Sequence, residues 1–154
     1  SGPLFDSLYT STQIRYMAGA LFVFGWGDGY VWRTRRAVDT SQANLLPEVI
    51  DSFNCATTNS GDNSDLVVDA TGTHYFATGT GQTISGSNYL NHIVTRVSHN
   101  KGLTWNSVDY YTGPSNEGAE SRRIILGPGG RPYVIGNRNS GGHSVWMVRK
   151  LVSP

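Results

Sequence analysis

The chain aligns with itself. Three of its segments, A-L-F-V-F-G (residues 20–25), T-H-Y-F-A-T-G (73–79) and R-P-Y-V-I-G (131–136), are short aromatic and β-branched runs closed by glycine. A second matching run follows each of them: W-R-T-R (32–35), I-V-T-R (93–96) and W-M-V-R (146–149). Upstream stand Q-I-R-Y-M (13–17), S-D-L-V-V-D (64–69) and S-R-R-I-I-L (121–126), each leading into a glycine-bearing turn. The unit is strand, tight turn, strand, loop, strand, and Arg35, Arg96 and Arg149 stand 61 and 53 residues apart. A repeat of that length built from strands means a propeller blade or a related array, with four strands the usual blade. Composition agrees: 19 glycines, four Trp, eight Tyr and five Phe in 154 residues, with no sustained helical period, favour short strands joined by tight turns.

The middle unit supplies a fourth strand, L-T-W-N-S-V-D-Y-Y (103–111), and the stretch before it, S-H-N-K-G-L-T-W (98–105), is spelled as a hairpin. Gly102 suits the positive φ of a tight turn, Asn100 can hydrogen-bond backbone amides across it and tolerates the left-handed region, and Ser98 and Thr104 close it from either side. Trp105 is then expected to fold its ring between this hairpin and the neighbouring blade. The octapeptide resembles the Asp-box, Ser-x-Asp-x-Gly-x-Thr-Trp, of sialidase-type and related bacterial β-propellers. Asn100 takes the place of the usual aspartate, and one of the three units keeps the motif; the first unit retains Asp39 and little else. The resemblance implies an all-β propeller, secreted or exposed at a cell surface.

The first unit's fourth strand is expected at P-E-V-I-D-S-F (47–53). The third unit has none, but L-F-D-S-L (4–8) matches T-W-N-S-V (104–108) with Phe5 in the tryptophan position. Residues 1–154 therefore read as one propeller module: a strand 4 at 3–10, blades at 12–54 and 63–112, and strands 1 to 3 of a last blade at 120–154. Three four-stranded blades cannot close a ring, since propellers have about four to eight. Two copies make six, and the expectation is a homodimer in which the N-terminal strand of one chain completes the last blade of the other.

Charge and hydropathy exclude other classes. The net charge is +1 and no Lys/Arg run tracks a phosphate backbone, so no nucleic-acid partner is expected. The longest apolar windows are far too short to span a bilayer, so no membrane partner is expected either. Ser1-Gly2 reads as a cleavage product or expression remnant. The single cysteine, Cys55, allows no intramolecular disulfide and reads as a small, partly buried loop residue.

In a propeller blade the 2–3 loops and the crossovers from strand 4 to the next strand 1 share one face, and the Asp-box turn lies on the opposite face. The 2–3 loops differ: W-G-D-G (26–29), a polar stretch at 80–91, and N-R-N-S-G-G-H (137–143). Variable loops on a constant scaffold are where recognition is placed. Trp26, Asp28, Asn88, Tyr89, Asn137, Arg138 and His143 are the candidate ligand residues, since amides, hydroxyls and a stacking aromatic suit a neutral sugar. The competing reading is a set of solvated polar loops.

Two constellations invite an enzymatic reading. Arg35, Arg96 and Arg149 resemble in number the arginine triad of sialidases, but equivalent positions in each repeat predict a structural role. Arg15, Arg122 and Arg123 sit on strands that would line a central tunnel, yet the family's arginine-isoleucine-proline signature is absent. Glu117 and Glu120 have no evident partner carboxylate for glycoside hydrolysis. The four histidines, His74, His92, His99 and His143, have no paired metal spacing, and neither metal nor cofactor is expected. The expected function is non-catalytic, lectin-like binding at the loop face. A piece of a sialidase-like hydrolase, or an assembly scaffold without a small ligand, are the alternatives.

Overall fold

The structure, a computed structural model, describes residues 10–27, 31–39, 41, 48–54 and 61–152. Among them run eleven strands: β1 (Thr10–Met17), β2 (Ala20–Gly27), β3 (Val31–Ala37), β4 (Glu48–Phe53), β5 (Gly61–Val68), β6 (Tyr75–Ser85), β7 (Asn88–Ser98), β8 (Asn106–Tyr111), β9 (Ala119–Leu126), β10 (Pro132–Ser140) and β11 (His143–Lys150). They form three sheets, ordered β1-β2-β3-β4, β5-β6-β7-β8 and β11-β10-β9, and every pairing is antiparallel. The chain is all-β and propeller-like, with consecutive up-and-down sheets stacked face to face. The segment at 4–8 expected to serve as a further strand, with Phe5, lies outside the described residues, as do Asp28 and Cys55. β1 begins at Thr10, two residues ahead of the start expected for that blade.

Stacking buries the apolar side of each strand. Phe22, Phe24 and Trp32 of the first sheet meet Leu66, Tyr75, Ala77 and Val94 of the second in one core cluster. Phe76, Ile93 and Val97 of the second meet Ala119, Ile124 and Val134 of the third in another. Each fully buried large side chain contributes roughly 1.5–3 kcal/mol, so the two cores hold the sheets against one another.

The repeat extends to the irregularities. The β3–β4 ladder slips between Thr34 and Arg35, and the β7–β8 ladder slips at the equivalent pair, Thr95 and Arg96. Both bulges set an aspartate opposite the threonine, Asp51 opposite Thr34 and Asp109 opposite Thr95. Each aspartate receives the repeat arginine of the following sheet. Arg96 donates through Nε and Nη2 to the two Asp51 oxygens, both at 2.9 Å, and Arg149 donates to Asp109 at 3.0 and 2.8 Å. Each guanidinium also covers the ring two residues beyond its aspartate, Arg96 at 4.3 Å from the Phe53 centroid and Arg149 at 4.0 Å from that of Tyr111. Bidentate pairing and stacking exploit the planar arginine fork, which explains Arg over Lys at this position. At the inner edge, buried Asp65 joins three strands: it accepts from Arg15 Nη2 at 2.9 Å and from the backbone N–H groups of Leu66 and Ile124.

The 98–105 turn is held by its side chains. Ser98 Oγ accepts the Gly102 N–H at 2.8 Å, Asn100 Oδ1 accepts the Thr104 N–H at 2.9 Å, and Asn100 Nδ2 donates to Thr104 Oγ1 at 2.9 Å. Gly102 takes the expected positive φ (86°), and the other left-handed position is Lys101 (φ 60°) and not Asn100. The reason is that Asn100 bonds through its side chain, which leaves the chain reversal to the next two residues. Trp105 is half-buried, packs on the cluster between the first and second sheets, and tilts against Tyr75 at 6.4 Å.

The 2–3 connections differ from the expected loops. Residues 80–91 are mostly ladder, with Thr80 through Ser85 paired to Ile93 through Asn88, and the chain reverses at Gly86 and Ser87. Asn137 through Ser140 pair with Trp146 through His143, and Gly141 (φ 56°) and Gly142 (φ 81°) make the turn. Asn88, Tyr89, Asn137, Arg138 and His143 therefore sit on hairpin arms. Two consecutive positive φ values suit the right-handed twist of a two-residue hairpin.

Candidate functional site

The second hairpin, β6–β7, and the β8–β9 crossover border an open pocket of about 730 Å³ lined by Ser87, Asn88, Tyr89, Leu90, Asn116 and Gly118. The Tyr89 ring is exposed at 68% and Asn88 stands beside it at the open hairpin tip. The opposing wall owes its shape to strained backbone. Ser115 and Asn116 both take positive φ, 58° and 57°, rare for residues bearing a Cβ and concentrated at ligand clamps. Gly113 makes the loop feasible, because a Cβ there would stand 2.5 Å from the Glu117 carbonyl oxygen.

Two anchors fix the crossover. At its start His92, buried on β7, lies between hydroxyls, with Nε2 2.5 Å from Thr83 Oγ1 and Nδ1 2.8 Å from Thr112 Oγ1. Each hydroxyl can donate to or accept from the ring, and burial, which disfavours the charged imidazolium, lowers the His92 pKa. At its end the Asn139 N–H donates to Gly118 O at 2.8 Å, and the Gly141 N–H donates to Glu117 Oε1 at 2.9 Å.

A chain of polar side chains runs from the second sheet to the third. Gln82 Nε2 donates to Asn91 Oδ1 (3.1 Å), Asn91 Nδ2 to Glu120 Oε1 (3.0 Å), Arg122 Nη2 to Glu120 Oε2 (2.9 Å), and Arg122 Nε to Asn137 Oδ1 (3.1 Å). It touches the cavity wall at Asn91, 3.7 Å from where a Cβ on Gly118 would lie.

Of the sequence candidates, the structure joins Asn88 and Tyr89 in the cavity and ties Asn137 into the adjoining chain. Trp26 lies on the first sheet's hairpin, half-buried and paired in register with Trp32, and does not line the cavity. Arg138 pairs in register with Ala119 and Val145, and His143 is exposed at the start of β11; neither lines the cavity. Asn116, Gly118, Asn91, Glu120 and Arg122 were not among the candidate ligand residues, although the T-G-P-S-N-E-G-A-E crossover (112–120) was expected on the binding face. Among the described residues no three His, Cys, Asp or Glu side chains gather as a metal centre.

No family model matches the sequence, and no curated protein matches it. Among solved structures the chain is similar to Bombyx mori GH32 beta-fructofuranosidase BmSUC1, with a TM-score of 0.52 and 15% identity over 88% of this chain and 30% of that one. The chain thus spans about a third of the length of that protein. At this identity the likeness carries the fold alone, in keeping with the propeller-like stack of antiparallel sheets.

Proposed function

We propose that the chain is a non-catalytic propeller module that binds a polyhydroxylated ligand, a glycan, in the cavity between the second hairpin and the crossover. The observation that carries this reading is the cavity's lining: one exposed tyrosine ring beside amides and a hydroxyl, in a volume within the range of about 300–1,000 Å³ usual for small-ligand sites. A sugar offers an apolar ring face to stack and hydroxyls that need directional partners, and this lining supplies both. The fold neighbour's carbohydrate substrate, stated in its name, is in keeping with a sugar and makes fructose-containing oligosaccharides the first probes. A glycan array with these included tests the proposal. Saturable binding lost in Tyr89→Ala is expected, and no binding to any glycan at high micromolar protein would end it.

The turn at 98–105 supports placing the chain with Asp-box propellers, because Asn100 makes the bonds across the turn that the motif assigns to aspartate. A second reading, a piece of a glycoside hydrolase, is favoured by the neighbour being an enzyme of that class. Turnover of sucrose or of a chromogenic sialoside by the chain would establish it.

For assembly we propose closure by a second copy. Among the described residues β11 is a sheet edge that carries exposed Trp146 (78%) and Val148, and two strands away β9 carries exposed Ile125 on the same face. The far face of the first sheet shows Ile14 and Tyr16, which alternate with the inward Arg15. Two apolar terminal faces and an open edge are what a ring of two chains would cover.

A further inference from the structure

On the face opposite the cavity, two turns of the second sheet meet. The β5–β6 turn carries Asp69, Thr71 and His74, the β7–β8 turn carries His99 and Lys101, and the Lys101 N–H donates to Thr73 O at 3.0 Å. His74 and His99 stand edge to face, with ring centroids 5.2 Å apart and planes at 76°.

Asp69 fixes one of these rings. Its Oδ2 lies 2.9 Å from His74 Nδ1 and accepts the Thr71 hydroxyl at 2.7 Å, and its Oδ1 accepts the N–H groups of Thr73 and His74 at 3.0 and 3.1 Å. A carboxylate beside Nδ1 favours the tautomer with its proton there, which turns the Nε2 lone pair of a neutral ring outward.

We propose that His74 Nε2 and a ring nitrogen of His99 form a site for a divalent transition ion such as Zn²⁺ or Cu²⁺, with Asp69 as the carboxylate orienting His74 and water completing the coordination. Carboxylate, histidine and metal in series is the recurrent arrangement around bound zinc, because the carboxylate fixes the tautomer and raises the ring's basicity. Two imidazoles on one tetrahedral ion, at metal–nitrogen distances of about 2.0–2.1 Å, hold their centroids roughly 5 Å apart. These rings already stand 5.2 Å apart, edge to face, so a turn of the exposed His99 ring about its side-chain bonds would bring a nitrogen toward His74 Nε2 with the fold unchanged. His74 is partly open to solvent and His99 is exposed, which leaves a path for the ion. Two protein ligands fall short of the three or four that hold ions tightly, and Lys101 adds a nearby positive charge, so the site is expected to be micromolar and reversible. The two histidines are 25 residues apart in the sequence, and the contact between turns is what brings them together.

The test is calorimetric titration of the full chain with ZnCl₂ at pH 7.5, alongside ¹H–¹³C spectra of the histidine rings. One ion per chain is expected, with the His74 and His99 resonances shifting together. His74→Ala and His99→Ala should each weaken binding at least tenfold, and Asp69→Asn by roughly 10- to 100-fold. Mg²⁺, which seeks oxygen ligands, should give no heat. Absence of saturable Zn²⁺ binding below millimolar concentration, binding unchanged in both histidine variants, or equal binding of Mg²⁺ would overturn the proposal. Because both rings are at the surface, a loss of binding with an unchanged melting curve reports ligation and not unfolding.

Discussion

His92 is expected to make the molecule sensitive to acid. Burial lowers its folded-state pKa below the ordinary 6.5, so between the two values the unfolded chain binds more protons than the folded one. Stability is then fully present above about pH 6.5 and falls as pH drops toward the lowered value. Melting temperatures at pH 7.5 and 5.0 should diverge in the parent and draw closer in His92→Gln; equal divergence in both would refute the assignment. Arg96 makes a second claim at this scale. Burial raises the Asp51 pKa and the pairing with Arg96 works against it, so Arg96→Met strands a buried carboxylate. Urea unfolding should show a loss of about 3–5 kcal/mol, much of it recovered in the Arg96→Met, Asp51→Leu double variant. Tyr89→Ala should abolish ligand binding while changing stability by no more than about 0.5 kcal/mol, because its ring lies on the surface. The repeat position of Arg96 was legible in the sequence. Its partner was not, because Asp51 belongs to the preceding unit and becomes its neighbour when two sheets stack.

Among the elements, the 98–105 turn joins local conformation to packing between sheets. A Cβ on Gly102 would stand 3.0 Å from Ile50 Cδ1 of the first sheet, and the residue holds φ 86°. Gly102→Ala is therefore expected to destabilise by more than the roughly 1–2 kcal/mol of left-handed strain alone, as measured by denaturant midpoint. Trp105→Ala should cost about 3 kcal/mol, the low end for a buried aromatic since the ring is half-buried, and should leave ligand affinity unchanged. A Trp105→Ala protein that melted like the parent would displace the ring from the joint. Strand positions were readable wherever apolar residues alternate against a core. The outer parts of β6, β7, β10 and β11 were read as loops because they extend past the stacked cores, where no buried face imposes a period of two. Their backbone hydrogen bonds hold them as ladder all the same.

At the scale of the molecule, closure by a second copy is tested by mass. If two copies complete the ring, light scattering at low micromolar concentration should give a mass near twice 16.7 kDa. Deleting residues 1–10 or introducing Trp146→Glu should return it to a monomer, the first by removing the expected edge strand and the second by charging the exposed face of the third sheet. A monodisperse monomer of the unaltered chain would end the proposal.

The sequence by itself determined the all-β repeat, the strand order within each unit, the spelling of the Asp-box-like turn and the division of loops between two faces, because these follow from period, glycine placement and side-chain chemistry within a short span. Tertiary structure decided the rest. The Arg96–Asp51 and Arg149–Asp109 joints, the cavity between hairpin and crossover, the buried His92 and the His74–His99 pair each unite residues on different strands or turns. Their geometry depends on how far a hairpin extends, where a bulge falls and how closely two sheets pack, quantities fixed by the summed burial of many side chains and written in no single stretch of the chain.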